Sequence, residues 1–187
     1  MTRWQPDAQG RLQQAALTLF DERGFDDTTV ADIAERAGLT KRTFFRYFAD
    51  KREVLFSGSA QLVELFVAAV AAAPESAAPL DAVATALAAS AQMFEQRREL
   101  ASRRQRIIAA NPELQERELI KLSSLTAAVA KALHDRGFED PAAILTAEAG
   151  IAVFRVSFER WVEPANRRTL DEIIIESLAE LRAVASV

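Results

Sequence analysis

Residues 28–53, TTVADIAERAGLTKRTFFRYFADKRE, decide the reading of this chain. Thr29 stands three residues before Asp32, the spacing at which a hydroxyl and a carboxylate each satisfy a backbone N–H at a helix start, with Asp in place of the usual Glu or Gln. Val30, Ile33, Ala34 and Ala37 then share one face of a short helix. Gly38 ends it, because glycine adopts the left-handed conformation that closes a helix into a tight corner. Thr40 is an N-cap for a second helix, and Phe44 and Phe48, four apart, form an apolar ridge that packs against the first.

The remaining face of that second helix is basic. From Leu39 to Arg52 there are five basic residues, Lys41, Arg42, Arg46, Lys51 and Arg52, against the single acid Asp50, and Thr43 and Tyr47 add hydroxyls. A short helix fits the major groove of DNA. There Arg and Lys pair with guanine edges and a Thr methyl touches thymine, while Tyr, Lys and a helix N-terminus hold phosphates. Asp50 and Glu53 repeat the capping box, so the next helix starts where Lys51 would meet the DNA backbone. Arg52 reads as a solvated or salt-bridged side chain.

The pattern is sustained. A first helix from about Asp7 to Arg23 closes on Gly24-Phe25, followed by Thr28-Thr29-Val30, Asp32-Ile33-Ala34, Ala37-Gly38-Leu39-Thr40, Phe44-Phe45, Tyr47-Phe48 and Asp50-Lys51. Together these resemble the N-terminal domain of TetR-family transcriptional regulators over roughly the first 56 residues. The resemblance implies phosphate contacts by Thr29, Tyr47 and Lys51, and base contacts by Lys41, Arg42 and Thr43. Thr40 and Arg46 complete the candidate DNA-binding set, Arg46 facing either a base or a phosphate. Phe45 stands where tyrosine is usual, which leaves a thymine methyl or a sugar as its partner. Arg42 stands where many members have a small residue, and either guanine or phosphate suits it. Arg3 and Trp4, before the first helix, read as a frayed terminus or as an arm for the minor groove.

Composition bounds the rest. The chain has 187 residues, half of them hydrophobic, which is enough for a real core in one domain or two. It has no cysteine and one histidine, His134, so disulfides and thiolate metal sites are excluded and a zinc site is not expected. No cofactor is expected. The first residues lack the order of a signal peptide, and no unbroken apolar run approaches the roughly 18 residues that span a bilayer, so a cytoplasmic location without membrane contact is expected. Net charge is −4; residues 1–56 hold nine basic and nine acidic side chains, and residues 57–187 fourteen and eighteen. The positive charge is therefore local, which suffices for DNA binding with a strong salt dependence.

The expected fold is all-α. Residues 1–50 form a three-helix helix-turn-helix domain, and residues 51–187 a six-helix domain for ligand binding and dimerisation. The second part begins with a helix over about Lys51 to Ala72. Asn111-Pro112 and Asp140-Pro141 supply N-cap and first-turn proline pairs, and Thr169 with Glu172 caps the last helix. The final two helices are apolar around more than one face, which predicts burial on several sides. In TetR-like proteins these two helices form the dimer interface, which implies a homodimer on a palindromic double-stranded operator.

Large apolar residues of the middle helices are candidates for an effector pocket: Phe66, Met93, Phe94, Ile107, Leu122, Phe154, Phe158 and Trp161. Each also suits ordinary core. Arg97, Arg98, Arg103, Arg104 and Arg106 fall within ten residues, and the stretch from Arg104 through Asn111-Pro112-Glu113-Leu114-Gln115 to Arg117 is similar to a segment of actinobacterial regulators described as acyl-CoA-responsive, the mycofactocin-type group among them. Guanidinium groups could hold the phosphates of such a ligand, with Arg104 the pocket candidate. Otherwise the cluster is a solvated face paired with Glu95, Glu99 and Glu113. No Glu-x-x-His repeat, phosphate loop or nucleophile elbow supports an enzyme. Two classes remain: a sequence-specific, ligand-released repressor, and a helical sensor or carrier whose DNA-binding domain is inactive.

Overall fold

The computed structural model describes residues 7–185, so Arg3 and Trp4 lie outside the described residues. The elements are α1 (Ala8–Arg23), α2 (Val30–Arg36), α3 (Lys41–Tyr47), α4 (Glu53–Phe56), α5 (Ser59–Ala72), α6 (Pro79–Phe94), α7 (Arg98–Ala109), α8 (Pro112–Asp135), α9 (Asp140–Val162) and α10 (Leu170–Ala185), with a 3-10 turn at Glu95–Arg97. No strand occurs among the described residues, as the all-α reading requires. The single helix expected from about Lys51 to Ala72 is instead two, α4 and α5, broken at Ser57 and Gly58. At the break the Ser57 hydroxyl donates back to the Val54 carbonyl at 3.3 Å, and the Gln13 side-chain amide donates to Ser57 Oγ. A hydroxyl bonded locally in this way competes with helix continuation, and glycine adds little resistance.

Packing divides the chain into two units. One takes in residues up to Gly58 and the corner Arg103–Glu118; the other takes in Ser59–Ser102 and the residues from Leu119 onward. A single cut between residues 50 and 51 does not describe this division. In the first unit Leu12, Phe20, Phe25, Ile33, Phe44 and Phe48 share one core with Val54, Leu55 and Phe56 of α4 and with Ile107, Ile108 and Leu114 of the corner. Burying each such side chain stabilises the unit by roughly 1.5–3 kcal/mol.

In the second unit Phe66, Val70, Val83, Leu87, Leu125, Val129, Phe154, Trp161, Ile173 and Ile174 form the core. Helix α9 is embedded as its composition predicts, with ten buried residues. Gly150 lets α9 approach α6 closely, since a Cβ there would overlap Val83 Cγ1. Ser157 and Ser177 join α9 to α10 through a buried hydroxyl pair at 3.1 Å. Two stretches, Glu53–Ala72 and Asp140–Val162, are long and apolar enough to cross a membrane by length and composition. That corrects the expectation from unbroken runs, because a windowed mean tolerates charges such as Glu148 and Arg155. Both contribute to the cores just described.

Candidate nucleic-acid interface

The capping box forms at the start of α2. Asp32 Oδ2 accepts from the Thr29 N–H at 2.9 Å and from the Thr29 hydroxyl at 2.6 Å, while Thr29 Oγ1 accepts from the Asp32 N–H at 3.2 Å. These bonds hold the Asp32 carboxyl below its ordinary pKa, the Thr29 hydroxyl first and its N–H second. The corner is a Schellman closure: with Gly38 at φ 64°, its N–H reaches the Glu35 carbonyl at 2.9 Å and the Leu39 N–H reaches Ala34 at 2.8 Å. The Arg11 guanidinium donates to the Ala37 carbonyl and ties α1 to that corner. Thr40 then caps α3, accepting from the Thr43 N–H at 3.1 Å.

These constraints orient α3. Phe44 and Phe48 are buried, with ring centroids 5.4 Å apart, as the ridge requires. Lys41, Arg42, Phe45, Arg46 and Tyr47 are exposed, and Thr43 is half-buried at the edge of the same face. Arg46 donates to the Tyr47 hydroxyl at 3.0 Å and lies 4.9 Å from that ring's centroid. Lys41 and Arg42 make no hydrogen bond or ion pair with any described residue. They are unengaged cations on an exposed helix face.

Lys51 is different. Its ammonium donates to the carbonyls of Phe25 at 2.7 Å, Asp26 at 3.2 Å and Thr28 at 3.2 Å, and sits 4.2 Å from the Phe25 ring centroid. All three donors of an ammonium are thereby engaged. Thr28, fully buried, closes the same loop by donating to the Gly24 carbonyl at 2.8 Å. Sequence reading singled out neither Thr28 nor Arg11, and gave Lys51 to phosphate, because the bonds that define Arg11 and Lys51 span more than 20 residues of chain. The carboxylate half of the second capping box is present: Asp50 Oδ1 accepts from the N–H of Arg52 at 2.8 Å and of Glu53 at 3.2 Å. Arg52 pairs with Asp50 at 2.7 Å, in keeping with its salt-bridged reading.

The arginine cluster is divided. Arg104 donates to the Leu55 carbonyl at 2.6 Å, pairs with Glu118 at 2.9 Å and lies 5.0 Å from the Phe56 ring centroid. Burial pushes its pKa down and Glu118 opposes the shift. Arg117 pairs with Glu53 at 2.6 Å, so α4 is gripped at both ends by the corner Arg103–Glu118. Arg103 pairs with Asp21 at 2.8 Å. Arg104 and Ile107, grouped by sequence with the effector residues, therefore belong to the core of the helix-turn-helix unit. Arg98 instead donates to the Asn166 carbonyl at 2.7 Å and lies 5.9 Å from the Trp161 ring centroid.

The other effector candidates lie in the second unit. Phe66, Phe94, Phe154, Phe158 and Trp161 form one aromatic cluster, with centroid separations from 5.1 Å for Phe94 and Phe158 to 6.5 Å for Phe94 and Trp161. Leu122 packs against this core, and Met93 is half-buried beside Phe94 in α6.

A family model described as bacterial regulatory proteins, tetR family, matches residues 12–57, and one described as the MftR C-terminal domain matches residues 77–186. The chain belongs to the TetR family. As a member it is a helix-turn-helix, DNA-binding transcriptional regulator. It is 40% identical over 79 residues to the HTH-type transcriptional regulator TcmR of Streptomyces glaucescens, a match spanning 42% of this chain and 35% of that one. The match thus spans about a third of that relative's length. A TetR-family regulator from Syntrophomonas wolfei shares the fold at a TM-score of 0.68 and 17% identity, over 97% of this chain and 96% of the other. Thermus thermophilus FadR, a TetR-family repressor in complex with lauroyl-CoA, aligns at a TM-score of 0.56 and 25% identity, over 93% of each chain.

Proposed function

We propose that this regulator is a cytoplasmic homodimeric repressor that occupies a palindromic operator and leaves it when a small apolar or acyl-CoA-like molecule binds its second unit. The observation that carries the DNA-binding face is the pair of exposed, unengaged cations Lys41 and Arg42 on α3, a helix held by buried Phe44 and Phe48. In this reading Lys41, Arg42 and Thr43 face base edges, while Thr29, Thr40, Arg46, Tyr47 and Lys51 border the phosphates. The last two helices support the dimer: α9 exposes Ile144, Leu145 and Val156, and α10 exposes Ile175 and Val184. A two-fold dimer through them would carry its α3 helices to half-sites about 34–36 Å apart, or a multiple of that.

The aromatic cluster supports an apolar effector, and the lauroyl-CoA bound by Thermus thermophilus FadR supports the acyl-CoA class. Release follows if the ligand binds the operator-free state more tightly than the bound one. Selection from random duplex DNA at near-physiological salt tests the reading. An enriched palindrome is expected. Salt-sensitive binding with no enriched sequence would overturn it in favour of a sensor or carrier with an idle helix-turn-helix. With the operator in hand, an acyl-CoA that binds the dimer without changing its DNA affinity would overturn the effector assignment.

A further inference from the structure

Phe45 is an exposed apolar ring on the face that carries the unengaged cations. It is 56% exposed, whereas Phe44 and Phe48 of the same short segment are buried. The ring is not loose. It stands edge-on to Phe44, with centroids 5.5 Å apart and planes at 83°, so a residue fixed in the core sets its position. Lys41 lies four residues before it and Arg42 three, which places all three on one helical face. An apolar protein patch seated on Phe45 would have to desolvate both neighbouring charges without partners. A DNA major groove presents no such conflict, because the apolar C5-methyl of thymine lies there among base acceptors and near the phosphates.

The arginines on this face divide the work. The Arg46 guanidinium is drawn to the Tyr47 hydroxyl at 3.0 Å, toward the end of α3. Arg42 has its planar fork unengaged, the geometry that pairs bidentately with guanine O6 and N7. We infer that Phe45 is a specificity-determining residue that packs on a thymine methyl in each operator half-site, with Arg42 on a guanine beside it. The inference rests on the operator-binding reading and commits it to a base step.

The test uses the full-length dimer and the operator returned by selection. Each thymine of a half-site is replaced singly by deoxyuridine, which removes only the methyl, and affinity is measured for the native chain and for Phe45→Ala. One thymine per half-site should lose about fourfold on demethylation, the effect of uncovering one methylene-sized group. Phe45→Ala should bind the thymine and uracil operators equally, and Arg42→Ala should relax the selected guanine. If the operator is found but every uracil substitution is neutral, or if Phe45→Ala keeps the preference for thymine, the inference fails while operator binding stands. Persistence of the guanine preference in Arg42→Ala would overturn the role of Arg42. If no sequence is enriched, operator binding fails and the inference with it. Because Phe45 is exposed, the variant should melt with the native chain, and its equal binding to both operators would not be an unfolding effect.

Discussion

The α3 face and the arginine run of α7 are both dense in positive charge, yet the fold uses them in opposite ways. On α3, Lys41 and Arg42 are exposed and unengaged. On α7, Arg98, Arg103 and Arg104 are half-buried, and each is tied to a carbonyl or a carboxylate from elsewhere in the chain. Sequence density of charge therefore does not separate a ligand-binding face from structural adhesive. The acids decide it: Asp21 reaches Arg103 and Glu118 reaches Arg104, while α3 has no acid brought against its outer face. An engaged guanidinium has little left to offer a polyanion, whereas an exposed one gains by releasing counterions from DNA.

Neutralising each run should break the comparison in a different place. Replacing Lys41 and Arg42 together by Ala is expected to weaken operator binding by about 100- to 1,000-fold and relax specificity where they read bases. The slope of log affinity against log salt should fall by about one for each cation that held a phosphate. Unfolding by urea should stay within about 0.5 kcal/mol of the native chain, as for surface changes generally. Arg104→Ala should do the reverse. Breaking a fully buried pair costs about 3–5 kcal/mol. Arg104 and Glu118 retain 25% and 23% of their side-chain exposure, so solvent screens the loss and about 2–3 kcal/mol is expected. The salt slope measured on the folded fraction should not change.

Lys51 sharpens the comparison, because the family resemblance gives it to phosphate and the structure engages it with three carbonyls. Lys51→Met keeps most of the aliphatic stem and removes the donors, which should cost about 1–2 kcal/mol of stability in lost hydrogen bonds. The native salt slope should persist. A slope that falls as it does for Lys41→Ala would show that Lys51 leaves the loop to meet the DNA backbone.

How far the sequence was legible follows from the span of each interaction. The Thr29–Asp32 box, the Gly38 corner, the Thr40 cap and the Thr169–Glu172 box all close within five residues, and the structure reproduces each. Phe154, Phe158 and Trp161 recur at helical spacing on α9, so their shared face could be read, and Phe66 and Phe94 join them. Arg104 and Ile107 were misplaced because a large apolar residue or a charge suits either core; packing of their corner on α4 decided which. The caps at the prolines also shifted. The Asn111 side chain turns back to the Ile107 carbonyl at 2.6 Å, and Asp140 lies inside α9, where it pairs with His134 at 3.0 Å. In both cases a nearby partner competed with the helix terminus.

Thr29 gives the smallest expected effect and connects the scaffold to the DNA face. Its hydroxyl caps α2, so Thr29→Ala should lower stability at pH 7 by roughly 1 kcal/mol, the usual cost of an N-cap. The Asp32 carboxyl has its folded pKa depressed below the ordinary 3.8 by the Thr29 hydroxyl and N–H. A depressed folded pKa gives stability that is fully present above the ordinary value and is lost as pH falls through the folded one. The gap between native chain and variant should therefore be constant from pH 7 to about pH 5 and narrow below about pH 4, as followed by thermal melting. A gap of constant size down to pH 2.5 would remove Asp32 from the cap. Because Thr29 is neutral and its hydroxyl is already bonded to Asp32, the variant should keep the native salt slope. Any loss of DNA affinity would then be positional, acting through α2, in contrast to the charge loss expected at Lys41 and Arg42.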